Sequence, residues 1–214
     1  MLFQDRQEAA YQLLLLLEEF RNKEVVVLAI PRGGVPIGYI LAKELNASLD
    51  LLLSKKIGAP GNPEYAIGAV GIDFSWVDRQ LDIDPGYIQT EINRIRTELK
   101  RKQSFFKQYK NPVLLKNKIV IITDDGIATG RTILAAIPSI RKQQPDSIII
   151  ATPVCSPQAR AMLEPQVEQL ISCADPDPFI GVGRFYQNFE EVTDQQVLTL
   201  LNSFYHPPTH ATKN

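Results

Sequence analysis

The segment Ile119–Thr132 reads IVIITDDGIATGRT: an apolar run, two adjacent carboxylates at Asp124 and Asp125, a turn of small residues, then the start of a helical pattern. That order suits a phosphorylated sugar. Backbone N–H groups in such a turn, and in the first turn of the helix behind it, can hold a phosphate. Gly126 and Gly130 admit backbone geometries closed to other residues, and Thr129 and Thr132 add hydroxyl donors. Two carboxylates beside a phosphate repel it, so Asp124 and Asp125 must serve another part of the ligand; the vicinal hydroxyls of a ribose suit them. The competing reading is an ordinary strand-to-helix turn with an Asp capping the helix. The G-x-x-x-x-G-K-S/T pattern of a P-loop is absent.

Two other glycine- or lysine-bearing stretches follow apolar runs. Pro31-Arg32-Gly33-Gly34 comes straight after Glu24–Ile30 (EVVVLAI), and Ser54-Lys55-Lys56 comes after Leu49–Leu53. By themselves these are a glycine turn and a solvated lysine pair. Gly58, Pro60, Gly61 and Pro63 then mark a loop, by itself a plain crossover.

The elements that must position these groups show in the hydrophobic pattern. Residues 5–21 suit a helix with a broad apolar face. The continuous β-branched run at Glu24–Ile30 is the mark of a strand buried on both faces, and further strands are expected at Lys118–Thr123 and Ser147–Thr152. Shorter strands are expected at Leu49–Leu53, Tyr65–Ile72 and Val167–Cys173, with Gly68 and Gly71 leaving room for close approach. Helices are expected at Val35–Leu45, Thr132–Gln143, Pro157–Leu163 and Thr193–Phe204; Pro138 should kink or shorten the second of these. Alternating strands and helices imply an α/β fold with a mainly parallel central sheet and helices on both faces, whose ligands sit at the carboxyl ends of the strands.

Residues 84–110 differ in character: polar, charged, capped by Asp84 with Pro85 behind it, and striped by Ile88, Ile92, Ile95 and Leu99. They read as a long exposed helix inserted between core units, which covers the site, makes a dimer contact, or is simply solvated. One domain over residues 1–205 is expected, with residues 206–214 a disordered tail that carries both His206 and His210.

Composition excludes several classes. With 23 basic and 24 acidic residues the formal charge is −1, which argues against a general grip on nucleic acid or an anionic membrane. Leu13–Leu17 is too short to span a bilayer, and the acidic residues before it do not fit a signal peptide, so a cytoplasmic protein is expected. Cys155 and Cys173 form no C-x-x-C pair and have no histidine cluster beside them; they read as reduced, partly buried thiols.

The Ile119–Thr132 segment resembles the signature of the type I phosphoribosyltransferases for phosphoribosyl pyrophosphate (PRPP), with Asp124, Asp125, Thr129, Gly130 and Thr132 on its defining positions. The resemblance implies that Asp124 and Asp125 hold the ribose 2′- and 3′-hydroxyls. It implies that Gly126, Ala128, Thr129, Gly130, Arg131 and Thr132 surround the ribose and its 5′-phosphate. Pro31–Gly34 is similar to the family's pyrophosphate loop, with Gly33 and Gly34 amides facing the diphosphate and Arg32 adding charge. Lys55 or Lys56 would stabilise the leaving pyrophosphate, making these lysines and the two aspartates the candidate catalytic groups. The motifs K-I-G-A-P-G-N-P-E, A-I-G-A-V-G and D-P-F-I-G-V-G-R-F-Y resemble a little-characterised group of bacterial phosphoribosyltransferases.

The implied reaction transfers 5-phosphoribosyl from PRPP to a nucleobase or similar small nucleophile. Mg²⁺ would arrive with the diphosphate rather than on protein side chains. The alternative is a non-catalytic sensor of PRPP or a nucleotide. Some purine-salvage relatives carry an acid where this chain has Ala128, which puts hypoxanthine and guanine in doubt. The acceptor would lie under a small hood at 174–186, where Phe179, Phe185 or Tyr186 can stack on a base and Asp175 or Asp177 can bind its edge or shape a turn. A homodimer is expected from the family alone.

Overall fold

The computed structural model describes residues 2–78, 80–107 and 113–207; residues 108–110 of the helical insertion and 208–214 of the tail lie outside them. In chain order the first elements are α1 (Arg6–Leu15), β1 (Val25–Ala29), α2 (Gly34–Leu45), β2 (Ser48–Leu51), β3 (Ser54–Ala59), β4 (Asn62–Gly71) and β5 (Ser75–Val77). They are followed by α3 (Pro85–Lys107), β6 (Ile119–Thr123), α4 (Arg131–Lys142), β7 (Ser147–Val154), α5 (Pro157–Leu163), β8 (Gln169–Ala174) and α6 (Asp194–Tyr205).

Five strands form a parallel sheet in the order β2-β1-β6-β7-β8. The apolar runs predicted as strands at Glu24–Ile30, Lys118–Thr123 and Ser147–Thr152 are the three central strands, and β1, the run expected to be buried on both faces, is buried along its whole length. One apolar cluster joins α1, α2 and α6 to one sheet face through Leu13, Leu41 and Leu201. Another joins α4 and α5 to the opposite face through Ile137, Ile140 and Leu163. The register sets Ala29 of β1 beside Leu51 of β2 and Thr123 of β6, so three neighbouring strands end level and their loops emerge together.

The segment Ser54–Gly71 corrects the sequence expectation of a loop followed by one more strand of the main sheet. It is a β-hairpin, and with β5 it forms a separate antiparallel sheet in the order β3-β4-β5. Pro60 and Gly61 make its turn, Gly61 at φ +73°, and a bulge follows Ile57. Gly68 lies against the backbone of Trp76, the close approach its lack of a side chain allows.

The inserted helix α3 is not merely solvated. Its Asp84 cap is present, with the Tyr87 N–H donating to Asp84 Oδ2 at 2.8 Å. Its apolar stripe is buried: Ile92, Ile95, Leu99 and Phe106 join Ile57 and Val70 of the hairpin in the main core. Pro138 does not end α4, which continues to Lys142. The N-terminal helix stops at Leu15, and a 3-10 turn over Glu18–Phe20 completes the predicted stretch. Among the described residues no helix is long and apolar enough to cross a membrane.

Because Ile95 is fully buried between α3 and the hairpin, Ile95→Ala is expected to cost about 2–5 kcal/mol of stability. Urea unfolding monitored by circular dichroism checks this; a loss near zero would mean that α3 is a surface appendage.

Candidate functional site

The loop after β6 is built to leave backbone donors exposed. Ile127 bridges to Cys155: its N–H donates to Val154 O, and the Ser156 N–H donates to Ile127 O, both at 2.9 Å. The Ser156 hydroxyl donates to Ala128 O at 2.6 Å and also accepts from the Ala159 N–H as the cap of α5. The loop is thereby tied to the neighbouring strand end. Gly130 caps α4 at φ +64° and, having no side chain, offers no cap to the first N–H groups of α4. A Cβ on Gly126 would meet Val182 at 2.6 Å and Val154 at 2.8 Å. Above the loop lies a cleft of about 160 Å³ lined by Asp124, Gly126, Ile127 and Ala128–Thr132. The Arg131 side chain turns to the hairpin, donating to Ala66 O at 3.2 Å and lying 6.0 Å over the Trp76 ring.

Asp124 and Asp125 occupy the end of β6, but their carboxylates have different surroundings. Asp124 Oδ1 accepts the Asp125 N–H at 2.8 Å, and Asp124 lines the cleft. Asp125 is held from behind: Arg6 Nε and Nη2 approach Asp125 Oδ2 at 2.9 and 2.8 Å, with the two side chains only 12% and 14% exposed. Arg6 also donates to Glu190 O at 2.8 Å and stacks 3.9 Å over the Phe189 ring. Burial pushes the Asp124 carboxyl well above the usual carboxylate range, and the neighbouring Asp125 charge adds to this. Burial also raises Asp125, opposed by its hydrogen bond and charge interaction with Arg6. No motif pointed to Arg6. Its partner lies 119 residues away, and an arginine in the first turn of a helix carries no signal by itself.

The second loop touches the first. Gly33 and Gly34 press on the acidic pair: a Cβ on Gly34 would meet Asp124 Cα and Thr123 O at 2.8 Å, and one on Gly33 would overlap the Asp125 carboxylate. The Pro31–Arg32 peptide is cis. Arg32 pairs with Glu191 and lies 3.9 Å from Asp194. A wider cleft of about 450 Å³ opens on this side, lined by Arg32, Lys55, Glu98 and Lys102 with Pro31, Leu53, Ser54 and Leu99. Lys55 Nζ lies 2.9 Å from both Glu98 carboxylate oxygens, and Lys102 pairs with Asp194 at 3.3 Å. Strand alternation separates the two candidate lysines. Lys55 lines this cleft with Arg32, whereas Lys56 stands on the opposite hairpin face in one row with Ala69 and Trp76.

The hood gathers aromatic rings, mostly against one another. Phe179 packs on Phe185 at 5.1 Å, Tyr186 stacks on Phe189 at 5.0 Å, and Phe3 approaches Tyr186 at 5.4 Å. Tyr186 is buried and donates its hydroxyl to Asp125 O at 2.6 Å, so its ring is committed to the fold. Asp175 shapes the turn, held by Arg160 Nε at 2.8 Å and the Ser172 hydroxyl at 2.7 Å. Burial pushes the Cys155 and Cys173 thiols up to about 11, which suits packing rather than nucleophilic work. Among the described residues no three His, Cys, Asp or Glu side chains cluster as a metal site.

Comparison with known proteins agrees with this geometry. The family model described as phosphoribosyl transferase domain matches residues 2–184. A Mycobacterium tuberculosis H37Rv protein, Rv0571c, provisionally named a phosphoribosyl transferase, is 35% identical over 206 residues. Its counterpart in strain CDC 1551 matches equally. The match takes in 94% of this chain but 46% of each relative, so the chain spans about half their length. The crystal structure of TT1426 from Thermus thermophilus superposes with a TM-score of 0.81 at 32% identity, covering 95% of this chain and 99% of that one.

The raised proton affinity of Asp124 makes a stability prediction. A carboxyl that binds its proton more tightly folded than unfolded loses stability for the protein as pH rises from the ordinary carboxylate range through its folded value. Asp124→Asn keeps an oxygen for the Asp125 N–H and removes the charge. Its urea midpoint should exceed that of the unaltered chain at about pH 8 and the gap should narrow towards about pH 4. A variant less stable at the higher pH would contradict this account.

Proposed function

The chain belongs to the phosphoribosyl transferase family and has the type I fold, and on that footing we propose that it transfers the 5-phosphoribosyl group of PRPP to a nucleobase or similar small nucleophile, releasing pyrophosphate. The observation that carries this reading is the contact between the two loops. The cleft over Asp124–Thr132 and the cleft beside Arg32 and Lys55 flank a single point, where Gly33 and Gly34 meet Asp124 and Asp125. A ligand with a phosphate at one end, a diol in the middle and a diphosphate at the other matches that order of groups.

In this reading the α4 N-terminus and the Thr129 and Thr132 hydroxyls hold the 5′-phosphate, and Asp124 and Asp125 accept the ribose hydroxyls. Arg32 and Lys55, with the amides of Gly33 and Gly34, receive the diphosphate. The C1–oxygen bond to pyrophosphate breaks as the acceptor's bond to C1 forms. The positive charge that builds on the ribose is tolerated beside the acidic pair, and the negative charge on the leaving group is met by Arg32 and Lys55. Mg²⁺ would enter this scheme as part of the diphosphate substrate, whose charge it would neutralise. The acceptor would enter beneath the hood next to Phe179. Lys55 is preferred over Lys56 because it shares the cleft of Arg32.

A second reading is a PRPP or nucleotide sensor without turnover. The observation favouring it is that Arg32, Lys55 and Lys102 are each paired with a carboxylate of α3, α6 or the loop before α6, so an anion entering there exchanges those pairs and releases the carboxylates of those elements. Pyrophosphate release on screening the common bases separates the two readings, since a sensor binds PRPP and releases none.

Calorimetric titration with PRPP, with and without Mg²⁺, should show binding by the unaltered chain and none by Asp124→Asn/Asp125→Asn. Absence of binding by the folded unaltered chain would remove the proposal. Lys55→Ala should weaken inorganic pyrophosphate about tenfold, the worth of one charge-assisted contact, while leaving ribose 5-phosphate within about twofold.

A further inference from the structure

Arg6 reaches the acidic pair from outside both loops. It sits in the first turn of α1, and through one guanidinium it makes three kinds of contact. It approaches Asp125 Oδ2 with two nitrogens, donates to Glu190 O, and lies flat on Phe189. A fork pinned at three points is a rigid support. The residue it supports is boxed on the remaining sides: the Asp125 carbonyl takes the Tyr186 hydroxyl, the Asp125 N–H goes to Asp124, and the face towards α2 is closed by Gly33.

We propose that Arg6 is a positioning residue of the ribose site: it fixes the Asp125 carboxylate in place and in its charged form, so that the two adjacent acids can each accept a sugar hydroxyl. The proposal rests on reading the Asp124–Thr132 loop as a ribose phosphate site. The physical need is plain. Two neighbouring carboxyls at a buried strand end repel each other when both are charged, and the cheapest relief is to share one proton. A shared proton would turn one acceptor into a donor and let the side chains pair with each other instead of with the diol. A cation pinned behind one of them opposes that outcome and keeps the charge on the residue it touches. Arg6 is the cation that opposes the effect of burial at both aspartates. The sequence motif supplies the two acids, and α1 supplies the charge that keeps them usable.

The test reads the diol directly. Ribose 5-phosphate and 2-deoxyribose 5-phosphate differ by one hydroxyl. Calorimetric titration should show the unaltered chain preferring the ribose form about tenfold, the worth of a hydrogen bond to a charged group. Arg6→Ala should bring that ratio to within about twofold of unity, mainly by weakening the ribose form. Arg6→Lys keeps a cation against Asp125 and should restore most of the preference. Phe189→Leu removes the stacked ring, leaves the ion pair, and should keep the ratio of the unaltered chain.

An unchanged ratio in Arg6→Ala would overturn the proposal. So would an equal collapse in Phe189→Leu, which would assign the effect to hood packing. Failure of the unaltered chain to bind ribose 5-phosphate at all would instead remove the underlying reading of the loop, and the inference with it. Circular dichroism and thermal unfolding of each variant separate misfolding from loss of discrimination.

Discussion

Everything at the site depends on two backbone loops lying in contact at the ends of adjacent parallel strands. β1 and β6 pair in register to Ala29 and Thr123, so the chain leaves both strands at the same level. The glycines of the first loop then rest on the aspartates of the second, with a would-be Cβ of Gly34 only 2.8 Å from the backbone of the other loop. No side chain can stand there. The gap that remains serves two functions on one line, amides and cations on one side and amides and hydroxyls on the other, with the acidic pair between. A parallel sheet makes this inexpensive, because its strand ends all point the same way and its loops are free to specialise while the buried strands carry the stability.

The cost of that arrangement is electrostatic. Two carboxylates at a buried strand end favour their neutral forms, and Asp124 is held well above the usual carboxylate range by burial. The chain offsets this at one residue and leaves it standing at the other: Asp125 has Arg6, while Asp124 faces the cleft. The cleft beside Arg32 carries the opposite problem, three cations around one opening, and meets it with Glu98, Glu191 and Asp194. These pairs are largely exposed, so each contributes little to stability and is easily exchanged for a ligand anion. The Arg6–Asp125 pair is different, since removing Arg6 would leave a carboxylate that is only 14% exposed without its counter-charge.

Much of this was legible in the sequence, and the parts that were not have physical reasons. The central strands announced themselves as β-branched runs because both their faces are buried, and the acidic loop announced itself because its chemistry needs fixed residue types at fixed spacing. β3 did not, because SKKIGA exposes two lysines and buries only Ile57, leaving no apolar run. β4 read as a strand, yet its placement in a separate sheet depends on pairing with β3 and β5, which local pattern does not encode. The stripe of α3 was visible, but whether a stripe meets core or solvent is decided by what folds over it, here Ile57 and Val70. Arg6 and Glu191 were invisible for the same reason: their partners are distant in sequence and ordinary in type.

The hood is a separate small cluster from the two main cores, built from Phe3, the aromatic residues between Phe179 and Phe189, and the end of β8. Its rings spend most of their surface on each other. Its described ties to the acidic loop are few: the Tyr186 hydroxyl on the Asp125 carbonyl, the Val182 side chain against Gly126, and Arg6, which holds Glu190 and Asp125 together. A hood joined to the acidic loop at so few points can change its lining without disturbing the strands beneath that loop. The converse holds at two residues. A change at Tyr186 or Arg6 acts on both, because the Tyr186 hydroxyl bonds the Asp125 carbonyl and Arg6 bonds both Glu190 and Asp125. The hood and the acidic loop are thus separable in most of their residues and coupled through a short set, and that set includes the N-terminal helix as well as the motif-bearing loops.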